Sequence, residues 1–238
     1  MDPILKVSNL SKSFKNSSGF FFKKTFKKEI LKDINFNASS GESIALLGRN
    51  GCGKTTLLKI ISGVLSSDES SIKEDFNMYI DSSLVSMISS NDRAFFWRLS
   101  VEENLKFFCN LSKKNSEKKI KEVLCLLEIS DKLKSPFMSL SQGERKKISI
   151  ARALLNETKI LLLDEITNSL DLSAKKIVIN ILKNLLKTDH LKLIIFATHS
   201  LDEVIKLSNR ILYIKNKTIY EDKKINDNTL ISDLELLF

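Results

Sequence analysis

The stretch Gly48-Arg49-Asn50-Gly51-Cys52-Gly53-Lys54-Thr55 constrains this chain more than any other. Its glycines allow the backbone to curl until several N–H groups converge on one point, and the last two residues add an ammonium and a hydroxyl. The apolar run Ser43-Ile44-Ala45-Leu46-Leu47 ahead of it reads as a buried strand. Thr55 to Gly63 behind it reads as a helix ending at glycine. Strand, glycine loop and helix form the setting in which such a loop closes around the β- and γ-phosphates of ATP, with the positive end of the helix dipole behind it. Lys54 is then a point charge on the phosphates, Thr55 a ligand of Mg²⁺, and Thr56 the next residue of the same helical turn.

A second element explains what could be done with a bound phosphate. Ile160-Leu161-Leu162-Leu163-Asp164-Glu165 is an apolar strand ending in two carboxylates, at the sheet edge where ligands of such folds sit. Asp164 suits Mg²⁺, and Glu165 suits a general base that polarises the attacking water. Around these elements the chain alternates. Strands are expected at Leu5–Val7, Ile30–Asn37, Leu193–Ala197, Ile211–Ile214 and Thr218–Tyr220, with a Ser-, Phe- and Lys-rich excursion, Asn16 to Lys28, between the first two. Helices are expected at Gly143–Leu155, Ser173–Leu186 and Leu201–Leu207. Val101 to Leu127 repeats apolar residues at helical spacing, broken by the polar link Ser112 to Lys119. This predicts a parallel α/β core with a mainly helical insertion.

Leu140-Ser141-Gln142-Gly143-Glu144, standing before a basic helix and shortly before the acidic pair, resembles the signature of ABC transporter ATPase subunits, and the likeness runs from about Val7 to Tyr220. The resemblance implies a P-loop NTPase core with a parallel sheet, an N-terminal antiparallel β subdomain and a helical insertion subdomain. The whole of 1–238 is then one ATPase domain, with about 1–90 and 156–238 forming the nucleotide-binding core and about 91–155 the helical signature subdomain. It also implies ATP and Mg²⁺ as cofactors and a second copy of the chain as partner. In that head-to-tail dimer, Ser141, Gly143 and Glu144 of one copy face the ATP held by the other, and the same pentapeptide also reads as a capped helix start.

Other positions take their roles from the same likeness. Asp171, in Ser169-Leu170-Asp171, looks like the residue through which the two ATPase copies meet. His199, in Ala197-Thr198-His199-Ser200, resembles the switch histidine that contacts the γ-phosphate, and Phe14 corresponds to the aromatic that stacks on adenine. No glutamine stands where the family has one between strand and helical insertion. Within Met87-Ile88-Ser89-Ser90-Asn91-Asp92-Arg93 the amide of Asn91 falls nearest and is placed with Thr55 and Asp164 around Mg²⁺, with Ser90 as fallback. Ile166 replaces the usual proline after the acidic pair, which removes no catalytic group.

Arg93-Ala94-Phe95-Phe96-Trp97-Arg98-Leu99 lies where the family receives an integral membrane transporter subunit, and its aromatics between arginines suit an interface anchor or, alternatively, the core of the insertion. The wording through Glu103-Asn104-Leu105-Lys106-Phe107-Phe108 is similar to ATPases of drug, polysaccharide or lipid exporters. Phe20 to Lys28 combines aromatics with lysines and suits either anionic lipid headgroups or a solvated hairpin tip. These features describe an exporter's energy-coupling subunit, peripheral on the inner face of the cell membrane. The rival is a soluble ABC ATPase of the kind used in iron–sulfur cluster assembly.

Bulk properties narrow the field further. Apolar runs fall far short of the roughly 20 residues needed to span a bilayer, and the N-terminus lacks a secretory pattern, so a cytoplasmic location is expected. Cys52, Cys109 and Cys125 are odd in number and sit in no metal-ligand spacing, so free thiols are expected. The net charge of +9 is spread through the chain rather than gathered, which argues for a solvated coat and against a nucleic-acid partner.

Overall fold

In the computed structural model, residues 3–18, 24–68, 84–89, 94–111, 117–168 and 170–225 are described, with side chains omitted for 16–18 and 24–26. The expectations for Ser90, Asn91 and Ser169, and most of those for Phe20 to Lys28, lie outside the described residues. The chain divides into two compact units, Met1–Ser82 with Ile195–Phe238, and Ser83–Ile194.

The first unit opens with β1 (Leu5–Ser18) and β2 (Lys24–Ala38), paired antiparallel from Leu5 opposite Ala38 to Ser18 opposite Lys24, with register shifts between Val7 and Ser13. The two strands therefore run much further into the Asn16–Lys28 excursion than the sequence suggested. The ladder continues because backbone pairing does not require an apolar face, which is what the strand reading had looked for. β3 (Glu42–Leu47) follows, then the glycine loop and α1 (Lys54–Ile61). Helix α1 ends where expected: the N–H of Gly63, at φ 73°, reaches the carbonyl of Ile60. β3 runs parallel to β7 (Arg210–Lys215), which pairs antiparallel with β8 (Thr218–Lys224), giving a mixed sheet. Ile44 to Leu47 alternate to both faces yet are all buried, the mark of a strand covered on both sides.

The second unit holds β4 (Val85–Ser89), parallel to β5 (Ile160–Asp164), and the helices α2 (Val101–Leu111), α3 (Glu117–Leu126), α4 (Gln142–Leu155) and α5 (Leu172–Lys187). Helix α3 begins inside the stretch expected to be a link, since Glu117 and its neighbours are good helix formers with an acidic residue in the first turn. Strand β6 (Leu193–Ala197) straddles the boundary between the units, and α6 (Leu201–Leu207) follows in the first. The core of the second unit includes Phe137, wholly buried, with the Phe95 ring stacked on it at 4.4 Å. No described helix is long and apolar enough to cross a membrane.

Candidate functional site

The glycine loop is shaped by its neighbours in the first unit. A Cβ at position 48 would fall 2.4 Å from the carbonyl oxygen of Ile214 on β7, and one at position 53 would fall 2.6 Å from Cδ2 of Leu31 on β2. Both glycines also carry positive φ, 141° and 112°, so no side chain fits either on steric or on backbone grounds. Between them the N–H of Cys52 closes onto the carbonyl of Arg49 at 3.1 Å. Gly53 is the N-cap of α1 and supplies no side-chain cap, and a helix start of this kind carries the positive end of the helix dipole. Lys54 is almost buried, and its ammonium turns back to donate to the carbonyl of Gly48 at 2.7 Å and of Arg49 at 3.5 Å. Arg49, Asn50, Gly51 and Thr55 are exposed, while Cys52 and Thr56 are half-buried. A glycine loop at a helix start, with a cation at its root and an exposed hydroxyl on its rim, fits a polyphosphate with its Mg²⁺.

Two other expected residues belong to this unit. His199 is exposed in the turn after β6. The turn is braced beside it: the Thr198 hydroxyl donates to Glu203 Oε2 at 2.6 Å and accepts the Ser200 N–H at 3.0 Å. Phe14 projects an exposed ring from β1 opposite Lys28, with the Lys12 ammonium 5.5 Å from its centre. An exposed ring of that kind can stack on a planar base.

In the second unit, β5 delivers Asp164 and Glu165, both half-buried, beyond three fully buried leucines. Glu165 adopts φ 52°, a left-handed conformation that costs a non-glycine residue about 1–2 kcal/mol. The turn is held from the other side by Asn168, whose side-chain amide donates to Glu165 Oε2 at 2.8 Å. Ile166, where a proline had been the family's habit, is buried and packs as core. Asn168 was not singled out from the sequence; its only signal there is a position three residues after the carboxylate.

The signature and the expected dimer contact are neighbours in this unit. Ser141 caps α4: its hydroxyl accepts the Glu144 N–H, and its own N–H donates to Glu144 Oε2 at 2.7 Å, completing a capping box. Asp171 caps α5 by accepting the Ala174 N–H at 2.8 Å. Gly143 lies against Ala174, so the two helix starts that carry Ser141 and Asp171 pack on each other. Burial would push the Glu144 carboxyl up, but the Ser141 amide, the Lys132 ammonium at 3.2 Å and the Ser141 hydroxyl outweigh it and hold it below the usual carboxylate range.

Within the aromatic stretch the outcome is split. Phe95 is buried in the core, whereas Phe96 and Trp97 are about half exposed. Of the two expectations, the core one holds for Phe95, whose ring packs on both Phe137 and Phe108; Trp97 meets Phe137 only edge-on at 6.1 Å. Cys52, Cys109 and Cys125 are free thiols.

Comparison with known proteins places these features in a family. The ABC transporter family model matches residues 31–168. The aliphatic sulfonates import ATP-binding protein SsuB of Bacillus anthracis is 34% identical over 217 residues, covering 91% of this chain and 86% of that protein. The spermidine/putrescine import ATP-binding protein PotA of Vibrio cholerae is 30% identical over 232 residues, 92% of this chain and 57% of its own length. The fold matches that of cbiO1 from Clostridium perfringens, part of the ABC transporter complex cbiONQ, with a TM-score of 0.77, 24% identity and coverage of 99% and 92%.

Proposed function

The chain belongs to the ABC transporter ATP-binding family, whose subunits are ATPases coupled to transport, and on that footing we propose how its own residues bind and hydrolyse ATP. The observation that carries the proposal is the glycine loop pinned between Ile214 and Leu31 with Lys54 at its root. Its amides and the Lys54 ammonium bind the phosphates, and Phe14 stacks on adenine. Thr55 and Asp164 would hold Mg²⁺, which takes hard oxygen donors of this kind and would neutralise charge on the phosphate oxygens. Asn91 completes that set in our assignment. Glu165, fixed by Asn168, orients the attacking water and receives its proton, and His199 contacts the γ-phosphate.

The second half of the site comes from another copy of the chain. Ser141, Gly143 and Glu144 at the start of α4 offer a hydroxyl, an amide and a helix dipole to the γ-phosphate of the facing copy, with Asp171 at the contact between copies. Closure of that dimer drives an integral membrane subunit seated at Phe96 and Trp97, which puts the ATPase peripherally on the membrane's inner face. Export was the direction expected from Glu103 to Phe108, and it gains no support from relatives named as import ATPases. Energy coupling, rather than direction, is therefore the function we propose.

Calorimetry and phosphate release on the purified chain test it. Glu165→Gln should keep ATP affinity within about twofold and lower turnover by about 10²–10⁴-fold, the usual contribution of a general base. Lys54→Ala should weaken ATP by about 10–100-fold, as expected for a lost charged hydrogen bond. Undiminished steady-state hydrolysis in Glu165→Gln refutes the base assignment.

A further inference from the structure

We propose that Arg145 is a positioning residue that ties the exposed Trp97 surface to the signature at the start of α4, so that a change at one is felt at the other. The inference rests on the ATPase reading above.

The loop carrying Trp97 is rigid on its inner side. Asn104, fully buried, accepts the Phe96 N–H at 2.8 Å and donates to the carbonyls of Phe96 and Ser100 at 3.0 Å each and of Leu99 at 3.3 Å. The Met138 N–H donates to the Trp97 carbonyl at 2.9 Å. A loop tied this firmly moves as a body with whatever grips it. Its outer face is different: the rings of Phe96 and Trp97 are 47% and 46% exposed.

Arg145 grips it from α4. Its backbone N–H donates to the carbonyl of Ser141, the N-cap, at 2.9 Å. Its side chain reaches the other way: Nη2 donates to the carbonyl of Met138 at 2.9 Å, and the guanidinium carbon sits 4.5 Å from the centre of the Trp97 ring. A cation near a helix N-terminus opposes the helix dipole, so this position is electrostatically unfavourable for arginine on helix grounds alone. Hydrogen bonding anchors one end of the guanidinium, at Nη2, while its Nε is buried with no hydrogen-bond partner among the described residues. The rest of the group faces aromatic rings, Trp97 at 4.5 Å and Phe137 at 5.7 Å, and a guanidinium over an indole face is a favourable cation–π pairing. One residue thus joins the first turn of α4 through its backbone and the half-exposed Trp97 ring through its side chain.

Tryptophan occurs once in the chain, so intrinsic emission reports position 97 alone. In the full chain carrying Glu165→Gln, saturating MgATP should shift Trp97 emission. Adding Arg145→Gln should abolish that response while calorimetry finds ATP affinity within about twofold. Adding Arg145→Lys should restore it only in part, because lysine keeps the charge and loses the planar fork. In the otherwise unaltered chain, Arg145→Gln should lower kcat several-fold with KM little changed, a split that a merely loosened fold would not give. If Arg145→Gln does not fold, Trp97→Ala tests the same contact: its kcat should fall several-fold and that of Trp97→Phe by less. An undiminished Trp97 response in Arg145→Gln, full recovery with lysine, or unchanged kcat in Trp97→Ala overturns the proposal. ATP binding with a silent Trp97 defeats this inference alone, whereas no ATP binding at all defeats the ATPase reading and this inference with it.

Discussion

A Cβ at Gly143 would stand 2.9 Å from the Cβ of Ala174, which means that the second residue of the signature helix is glycine because the start of α5 occupies the space. Two effects of opposite sign compete in Gly143→Ala. Helix propensity favours alanine by about 0.5–1 kcal/mol. Overpacking against a Cβ, which cannot swing aside as a long side chain could, costs about 1–3 kcal/mol. The clash should win. Denaturant unfolding should show Gly143→Ala less stable than the parent chain, and Ala174→Gly in the same chain should recover most of the loss. Failure of that rescue would place the constraint elsewhere.

The same helix start has a pH dependence of known sign. Glu144 is held below the ordinary carboxylate range in the folded chain, so the stabilisation it gives is complete above its unfolded value and is lost as pH falls through the folded one. Glu144→Gln can keep the capping-box bond to the Ser141 N–H but loses the charge pairing with Lys132. Near neutral pH the variant should be less stable by about 0.2–1 kcal/mol, the scale of a solvent-accessible ion pair. The gap should close in acid, and unfolding measured across that range checks it.

How much of this was legible beforehand depends on how local the signal is. The glycine loop, the capping box and the acidic pair are each contiguous, and in the structure each sits at a strand or helix end as its pattern demanded. What the sequence could not supply are the partners brought in by folding. Nothing near Gly48 in the chain hints at Ile214, and nothing near Gly53 hints at Leu31, yet these contacts explain why glycine is required at both positions. Phe95, Phe96 and Trp97 are equivalent as letters; only folding shows that the first is packed between Phe137 and Phe108 as core, while Trp97, edge-on to Phe137, and Phe96 stay half exposed. The left-handed turn at Glu165 was likewise hidden, since glutamate gives no compositional hint of positive φ.

That turn supports a prediction about Asn168. Its amide donates to Glu165 Oε2 and so fixes which way the carboxylate points without touching substrate. Asn168→Ala should leave ATP affinity unchanged and lower kcat by about 10-fold, less than loss of the base itself, because a misaligned base still acts in part of its orientations. Asn168→Asp should do worse near neutral pH by setting a second negative charge against the first. Phosphate-release kinetics across a pH series separate the two: the aspartate variant should gain activity in mild acid, and a flat comparison would remove Asn168 from the site.

The loop glycines permit a sharper comparison, because two of them differ in the reason they are needed. At Gly48 both the backbone, at φ 141°, and the space, 2.4 Å from the Ile214 carbonyl, exclude a side chain. At Gly51 only the backbone objects: φ is 78°, but a Cβ would meet nothing within 4 Å. Alanine in a left-handed conformation costs about 1–2 kcal/mol. Gly51→Ala should therefore fold and bind ATP about 5–30-fold more weakly if that strain is relieved by distorting the loop. Gly48→Ala must in addition move either β7 or the loop, and a hydrogen-bonded parallel strand does not shift by an ångström without breaking its ladder to β3. The loop is what gives way, and with it the convergence of amides on the phosphates. Calorimetry should find no measurable ATP binding for Gly48→Ala in protein whose circular dichroism matches the parent. If the two variants bind ATP equally, the contact with Ile214 has no part in shaping the site.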